Sequence, residues 1–220
     1  MSELNDILGR GVYAPSEAAR LVGLAAGKLN RWVGDEARGA LWQNAFRSVT
    51  DSRELSFLDL QQLRVVARLR EAGVPLQAVR KGLIAARDVI AGTTPFAHLA
   101  LKTDGRGVFM QVAEDEREPF LIDLVRNQYA FEKVLAPVLR DVEFSDNYAA
   151  RWWPTGRRGR VVLDPARSFG HPIDAETGVP TATLAEATRV EGSVRNTARA
   201  YEVPEAAVRE AIRFEDRLAA

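Results

Sequence analysis

The chain has no cysteine among its 220 residues, so disulfides and cysteine-based zinc sites are excluded. Its two histidines, His98 and His171, stand far apart, and a histidine-rich metal site cannot be built from them. No cofactor is expected. Net charge is also lacking: 30 Lys+Arg balance 30 Asp+Glu, which excludes a basic coating protein and an acidic disordered chain. No apolar run approaches the roughly 20 residues of a membrane helix. Residues 1–13 show no basic start, apolar stretch or small-residue cleavage site, so a cytoplasmic protein is expected. Catalytic constellations are missing as well. There is no serine in a glycine elbow and no Walker lysine, and Gly105 and Gly107 lack the spacing of a phosphate loop. Glu114, Asp115 and Glu116 read as a solvated turn rather than a metal site. Enzyme activity is not expected.

What remains is a pattern of short helices. Pro15 and Glu17 open one, Ala18, Ala19 and Leu21 give it an apolar face, and Gly23 stops it. A second covers about 26–33, with Leu29, Trp32 and Val33 facing inward. Two short helices around a glycine turn form the helix-turn-helix pattern. Residues 39–55 alternate Trp42, Phe46, Val49 and Leu55 with polar residues, which suits a small hairpin, or wing. Ser56 with Asp59 predicts a capping box at the head of a longer helix. Gly73 and Pro75 separate that helix from another ending near Gly92.

The charge is unevenly spread. Residues 1–100 carry 13 basic against 10 acidic residues, 101–150 carry 6 against 10, and 151–220 carry 11 against 10. Two mildly basic ends thus flank an acidic middle, which permits binding at either end. The expected segments are 1–92, a winged helix-turn-helix DNA-binding domain; 93–154, a mixed α+β middle; and 155–220, a C-terminal three-helix module. Within the middle, Asp104-Gly105 predicts a hairpin between two apolar runs, and Asp146-Asn147 predicts another. Pro137 ends a helix that spans about 124–136. The fold class is mainly α with small β-hairpins.

The first segment resembles the MerR-type winged helix-turn-helix. The resemblance rests on Tyr13 to Gly23, on Lys28-Leu29-Asn30-Arg31-Trp32, on Ser56 to Leu60 with Leu63 to Val66, and on Leu69 to Arg80. No long dimerising helix or cysteine-bearing effector loop follows Gly92, which argues against a metal sensor. Residues 161–212 resemble an antitoxin-associated family of helix-turn-helix-like domains of unknown function. Here the resemblance rests on Val161 to Pro165, Phe169 to Ile173, Thr177 to Pro180, Glu191-Gly192-Ser193 and Val208 to Ile212. In this order the two modules look like a VapB-type antitoxin of the long kind. That resemblance implies a PIN-like ribonuclease toxin as partner.

The second short helix is the candidate recognition helix. With Leu29, Trp32 and Val33 inward, steps of about 100° place Gly27, Asn30 and Arg31 outward and Lys28 at the edge. Arginine can read guanine and asparagine adenine, each bidentately. Gln43, Asn44 and Arg47 on the wing are candidates for phosphate or minor-groove contact. Candidates for DNA or partner contact near the other end are Arg157, Arg158, Arg160, Arg195, Asn196, Arg199, Arg209, Arg213 and Arg217. A solvated, salt-bridged surface explains these last arginines equally well. Since one helix-turn-helix reads few base pairs, a homodimer on double-stranded operator DNA is expected. Val108-Phe109-Met110 and Trp152-Trp153 are the candidate dimer segments. Three functions stay open: an operator-binding antitoxin repressing its own operon, a MerR-like ligand-responsive regulator with a pocket in the middle segment, and a protein-interaction module without DNA binding.

Overall fold

The computed structural model describes residues 10–47, 52–90, 94–117 and 119–219. It is mainly helical, with two small two-stranded sheets. Its two compact units are Ala14–Ala149, and Met1–Tyr13 together with Ala150–Ala220. In sequence, the first is an insertion within the second.

The unit Ala14–Ala149 opens with α1 (Pro15–Val22) and α2 (Ala26–Trp32). Pro15 occupies the first helical turn, where a missing N–H is not felt. Gly23 takes the left-handed conformation, φ 71°, and donates to the carbonyl of Arg20. Its lack of a side chain lets the chain reverse at once into α2. Helix α3 (Phe57–Glu71) is the centre of the unit. Only Leu58, Arg68, Arg70 and Glu71 escape full burial along it. Neighbours on all sides explain this: α1, α4 (Leu76–Val89), the turn Pro95–Ala97 and α7 (Gln128–Leu139) all pack on α3. Burial even takes in Arg64, which donates to the Gln61 side chain and whose pKa desolvation lowers to about 9 against the pull of Asp141.

Between α4 and α7 come α5 (Ala100–Glu116) and α6 (Pro119–Arg126). The hairpin expected at Asp104-Gly105 is therefore corrected: both residues lie inside α5. Leu101, Val108, Phe109, Val112 and Ala113 are buried along it. Their spacing is helical, and packing of that stripe outweighs the local turn preference of Asp-Gly. Burial of Val108 and Phe109 also removes that segment as a dimer surface. The second expected hairpin forms. β1 (Val142–Ser145) pairs with β2 (Tyr148–Trp152) through Asp146 and Asn147, whose φ values are 49° and 67°. Two successive positive φ angles suit the turn that joins twisted strands. Pro137 sits within α7 rather than after it.

In the other unit, Trp152 and Leu163 exchange backbone hydrogen bonds at 3.0 and 2.9 Å. β3 (Val161–Val162) pairs antiparallel with β4 (Ile173–Asp174). Residues 12–13 belong here. Val12 donates to the Phe169 carbonyl at 2.9 Å, and the buried Tyr13 hydroxyl donates to the Gly170 carbonyl at 2.6 Å. A Cβ on Gly170 would lie 2.5 Å from that hydroxyl, so only glycine fits. The chain ends in three helices, α8 (Thr181–Glu191), α9 (Val194–Ala200) and α10 (Glu205–Ala219). They close over Leu184, Ala198, Val203, Ala207, Val208 and Ala211.

A close contact between two helices yields a stability prediction. A Cβ on Gly82 of α4 would stand 2.5 Å from the Phe109 ring of α5. That ring is held between Phe96 and Phe131, with centroids 5.7 and 5.9 Å away, and has no room to retreat. Gly82→Ala should therefore lower stability by about 1–3 kcal/mol, the usual cost of overpacking. A urea titration checks this, and an unchanged midpoint would show that α4 and α5 pack less closely.

Candidate nucleic-acid interface

Helix α2 stands out from the Ala14–Ala149 unit as a ridge. Leu29 and Trp32 are buried beneath it, whereas Gly27, Lys28, Asn30 and Arg31 are exposed. Arg31 makes one internal contact, its Nε donating to the Gly27 carbonyl at 3.2 Å. A Cβ on Gly27 would meet no atom within 4 Å, so the crest of the ridge is open.

A cleft of about 670 Å³ runs along one flank of α2. Asn30 and Arg31 line it from the helix, and Arg38, Arg47 and Arg53 line it from the following loops. The loop wall is held by side chains from elsewhere in the unit. Arg80 of α4 donates to the carbonyls of Ala40 and Gly39, both at 2.8 Å. Arg87, two turns further on, pairs with both oxygens of Glu36 at 3.2 Å. Asp35 accepts from the Ala37 N–H at 3.0 Å and pairs with Arg38 at 3.4 Å and Arg47 at 4.0 Å. One carboxylate thus partly offsets the arginines of the cleft.

Asp59 anchors this wall to the core. One carboxylate oxygen accepts from the Trp42 indole at 2.9 Å. The other accepts from the Ala45 N–H at 3.0 Å, the Ser56 N–H at 3.0 Å and the Ser56 hydroxyl at 2.8 Å. Ser56 Oγ in turn accepts from the Asp59 N–H, completing the capping box of α3. Burial raises the Asp59 pKa above its ordinary 3.8, and the hydrogen bonds from Ala45, Ser56 and Trp42 oppose that rise.

The wing candidates separate on inspection. Gln43 is exposed and Arg47 half-buried at the cleft. Asn44 is buried, and its amide donates to the carbonyls of Ser52 at 3.0 Å and Glu54 at 2.7 Å. Its side chain is committed to the loop and is not offered to a ligand. Residues 48–51, where the tip of the expected wing falls, lie outside the described residues. Val33 and Trp42 form a parallel bridge, so Trp42 pairs back to the end of α2, and no strand of the expected hairpin forms among the described residues of 39–55.

The candidates near the C-terminus also divide. Arg160 is held by Asp174 at 2.7 Å and Glu176 at 2.8 Å. Arg209 pairs with Glu205, and Arg213 lies 3.9 Å from Glu210. Arg217 sits over the Phe214 ring, 5.7 Å from its centroid. Arg157, Arg158, Arg195 and Arg199 are exposed, and Asn196, on α9 with the last two, donates its amide to the Glu191 carbonyl at 3.4 Å. Trp152 is buried and Trp153 half-buried.

No family model matches the chain. A candidate antitoxin of Mycobacterium tuberculosis, VapB45, is 30% identical over 171 residues, which is 72% of this chain and 70% of that protein. The chain belongs to the VapB-type antitoxin family. The X-ray crystal structure of Rv2018 from Mycobacterium tuberculosis aligns with this VapB-type chain at a TM-score of 0.71 and 28% identity. That alignment covers 91% of this chain and 96% of the other, so the likeness extends over both compact units. Among the described residues, no helix is long and apolar enough to cross a membrane.

Sequence reasoning located the ridge of this VapB-type chain but missed much of the cleft. Arg38 and Arg53 were not singled out, since no spacing rule links them to α2. Arg80 entered only as part of the MerR-type resemblance and Arg87 not at all, because they reach 40 and 51 positions back along the chain. Asp59 was legible as a cap, but its bonds to Trp42 and Ala45 were not.

Two measurements probe these side chains. Asp59→Asn replaces one accepting oxygen by a donating amide, which strands the Ala45 and Ser56 N–H groups. At about 1–3 kcal/mol for each buried unsatisfied group, stability should fall by roughly 2–6 kcal/mol. Denaturant unfolding that gave an unchanged midpoint would contradict the anchoring role. Asp174 responds to acid instead. Burial raises its pKa, but the hydrogen bonds from Arg160 and Thr177 outweigh burial and hold it below 3.8. A carboxyl so depressed binds fewer protons folded than unfolded. Its stabilisation is complete above the unfolded value and drains away as pH falls through the folded one. Thermal melts of Asp174→Asn should accordingly lie below wild type at neutral pH and converge on it below about pH 4. A constant gap between the two curves would contradict this.

Proposed function

We propose that this VapB-type chain is the antitoxin of a type II toxin–antitoxin pair. In this reading it binds operator DNA as a homodimer, represses its own operon and neutralises a PIN-like ribonuclease toxin. Residues 1–92, most of which fall in the Ala14–Ala149 unit, carry the DNA-binding function, in the manner of a MerR-like winged helix-turn-helix. The ridge of α2 beside an arginine-lined cleft is the observation that supports this most. Asn30 and Arg31 project from a helix anchored beneath by Leu29 and Trp32, beside Arg38, Arg47 and Arg53. A protruding helix of this kind enters the major groove, while flanking arginines hold the phosphates. Gly27 lets the helix backbone approach the base edges. Gln43 and Arg47 extend the phosphate surface, and the buried Asn44 is left out of it.

The C-terminal unit supplies the toxin surface in this reading. Arg157 and Arg158 on one loop, and Arg195 and Arg199 with Asn196 on α9, are the exposed groups we assign to it. Arg160, Arg209, Arg213 and Arg217 are engaged within the unit and contribute structure instead. VapB45 is named as an antitoxin, and its kinship with this chain supports a toxin as partner.

Arg31→Ala tests the DNA reading. Arg31 is exposed and supports no buried group, so the variant should melt like wild type. A bidentate base contact is worth about 1–3 kcal/mol, so affinity for the DNA upstream of the reading frame should fall roughly ten- to a hundredfold. The loss should disappear on duplexes altered at the base pair that Arg31 reads. Trp32→Ala should instead lower the melting temperature, since it opens a cavity worth about 3–5 kcal/mol. Fluorescence anisotropy and melts of both variants check this. Unchanged affinity in a folded Arg31→Ala protein would remove α2 from recognition.

A further inference from the structure

The structure has a second cleft on the opposite flank of α2, which the reading above does not use. It encloses about 390 Å³ and is lined by Lys28, Arg31 and Trp32 of α2, by Ala67, Arg70 and Glu71 of α3, and by the turns at Gly23 and Leu76. The helical geometry explains why α2 serves both clefts. Taking Arg31 as the crest, Gly27 lies about 40° to one side, Asn30 about 100° to that same side, and Lys28 about 60° to the other. Asn30 accordingly faces only the larger cleft, Lys28 only the smaller one, and Arg31 lines both. Each cleft carries basic groups on its far wall as well. Arg38, Arg47 and Arg53 stand across from Asn30, and Arg70 stands across from Lys28. Arg70 reaches that wall while donating to the Val74 carbonyl, so its guanidinium is positioned by the α3–α4 turn.

We infer that the two clefts seat the two phosphodiester strands that border one major groove, with Lys28 and Arg70 holding the strand opposite to the one held by Arg38, Arg47 and Arg53. The inference rests on the DNA-binding reading and assigns strands within it. A helix lying in the major groove has one backbone on each side, and the protein must offer cations on both flanks to neutralise both. One flank alone would tilt the duplex toward its charge. Glu71 on one side and Asp35 on the other keep each cleft from being uniformly positive. That limits attraction to anions that do not fit between the walls.

The test uses the full chain and duplexes of the DNA upstream of its reading frame. Lys28→Ala changes an exposed residue. Arg70→Gln keeps a donor for the Val74 carbonyl, and melts confirm that it folds. Each should reduce the salt dependence of binding by about one unit, equally on specific and unrelated duplexes. Duplexes with single neutral methylphosphonate links then assign the strands. Neutralising a phosphate that Lys28 or Arg70 contacts should erase the effect of that substitution and leave the effect of Arg38→Ala intact. Links on the complementary strand should do the reverse. Salt slopes unmoved by Lys28→Ala and Arg70→Gln, in a protein that binds DNA, would overturn the strand assignment and leave the DNA-binding reading standing. So would coupling of both sets to the same strand. A wild-type protein that binds none of these duplexes would overturn the DNA-binding reading and the assignment with it.

Discussion

The buried carboxylate of Asp59 is the interaction on which the candidate surface around α2 depends. It has no access to water, and it accepts hydrogen bonds from three residues, Trp42, Ala45 and Ser56. Ser56 begins the central helix, while Trp42 and Ala45 belong to the loop that walls the larger cleft. One side chain thus starts the core helix and binds the loop to it. The arrangement tolerates no half measures, because a buried group with unmet hydrogen bonds costs more than a met one contributes. From this anchor the geometry extends outward. Trp42 bridges to Val33, Val33 ends α2, and α2 carries Asn30 and Arg31.

Much of this was legible in the sequence wherever the cause is local. The Gly23 turn, the Ser56–Asp59 capping box and the inward face of α2 follow from spacing and from the chemistry of single residues. The two Asp-Gly and Asp-Asn pairs show where local reasoning stops. Asp146-Asn147 forms its turn, with both residues at positive φ. Asp104-Gly105 does not, because Leu101, Val108, Phe109 and Val112 demand a helix through it. The clue was present, since those four share one helical face, but the dipeptide signal hid it.

The candidate site divides along the same line. Lys28, Asn30 and Arg31 were readable because one helix carries them and two buried neighbours orient that helix. Arg38, Arg53 and Arg70 come from three other places in the chain, and only the tertiary fold brings them to α2. The C-terminal arginines err in the opposite direction. Arg209 has Glu205 one turn earlier, and that pairing could be anticipated. Arg160 is claimed by Asp174 across the β3–β4 pair, which no local pattern reveals. Charge that looks available along a sequence is often spent inside the fold.

The central claim is that α2 lies in the major groove of the DNA upstream of the gene. The absence of native cysteine permits a direct measurement. Ala26→Cys introduces a single thiol at the exposed first position of α2, beside the crest and outside the contacts assigned to Gly27, Lys28, Asn30 and Arg31. An iron–EDTA group attached there cuts whatever DNA backbone lies beside the helix. The expected result is cleavage confined to short windows within one upstream site, placed symmetrically about its centre if two copies bind. Bound DNA left uncut by this probe, while the same group on Arg158→Cys cuts it, would contradict the claim and move DNA contact to the C-terminal unit.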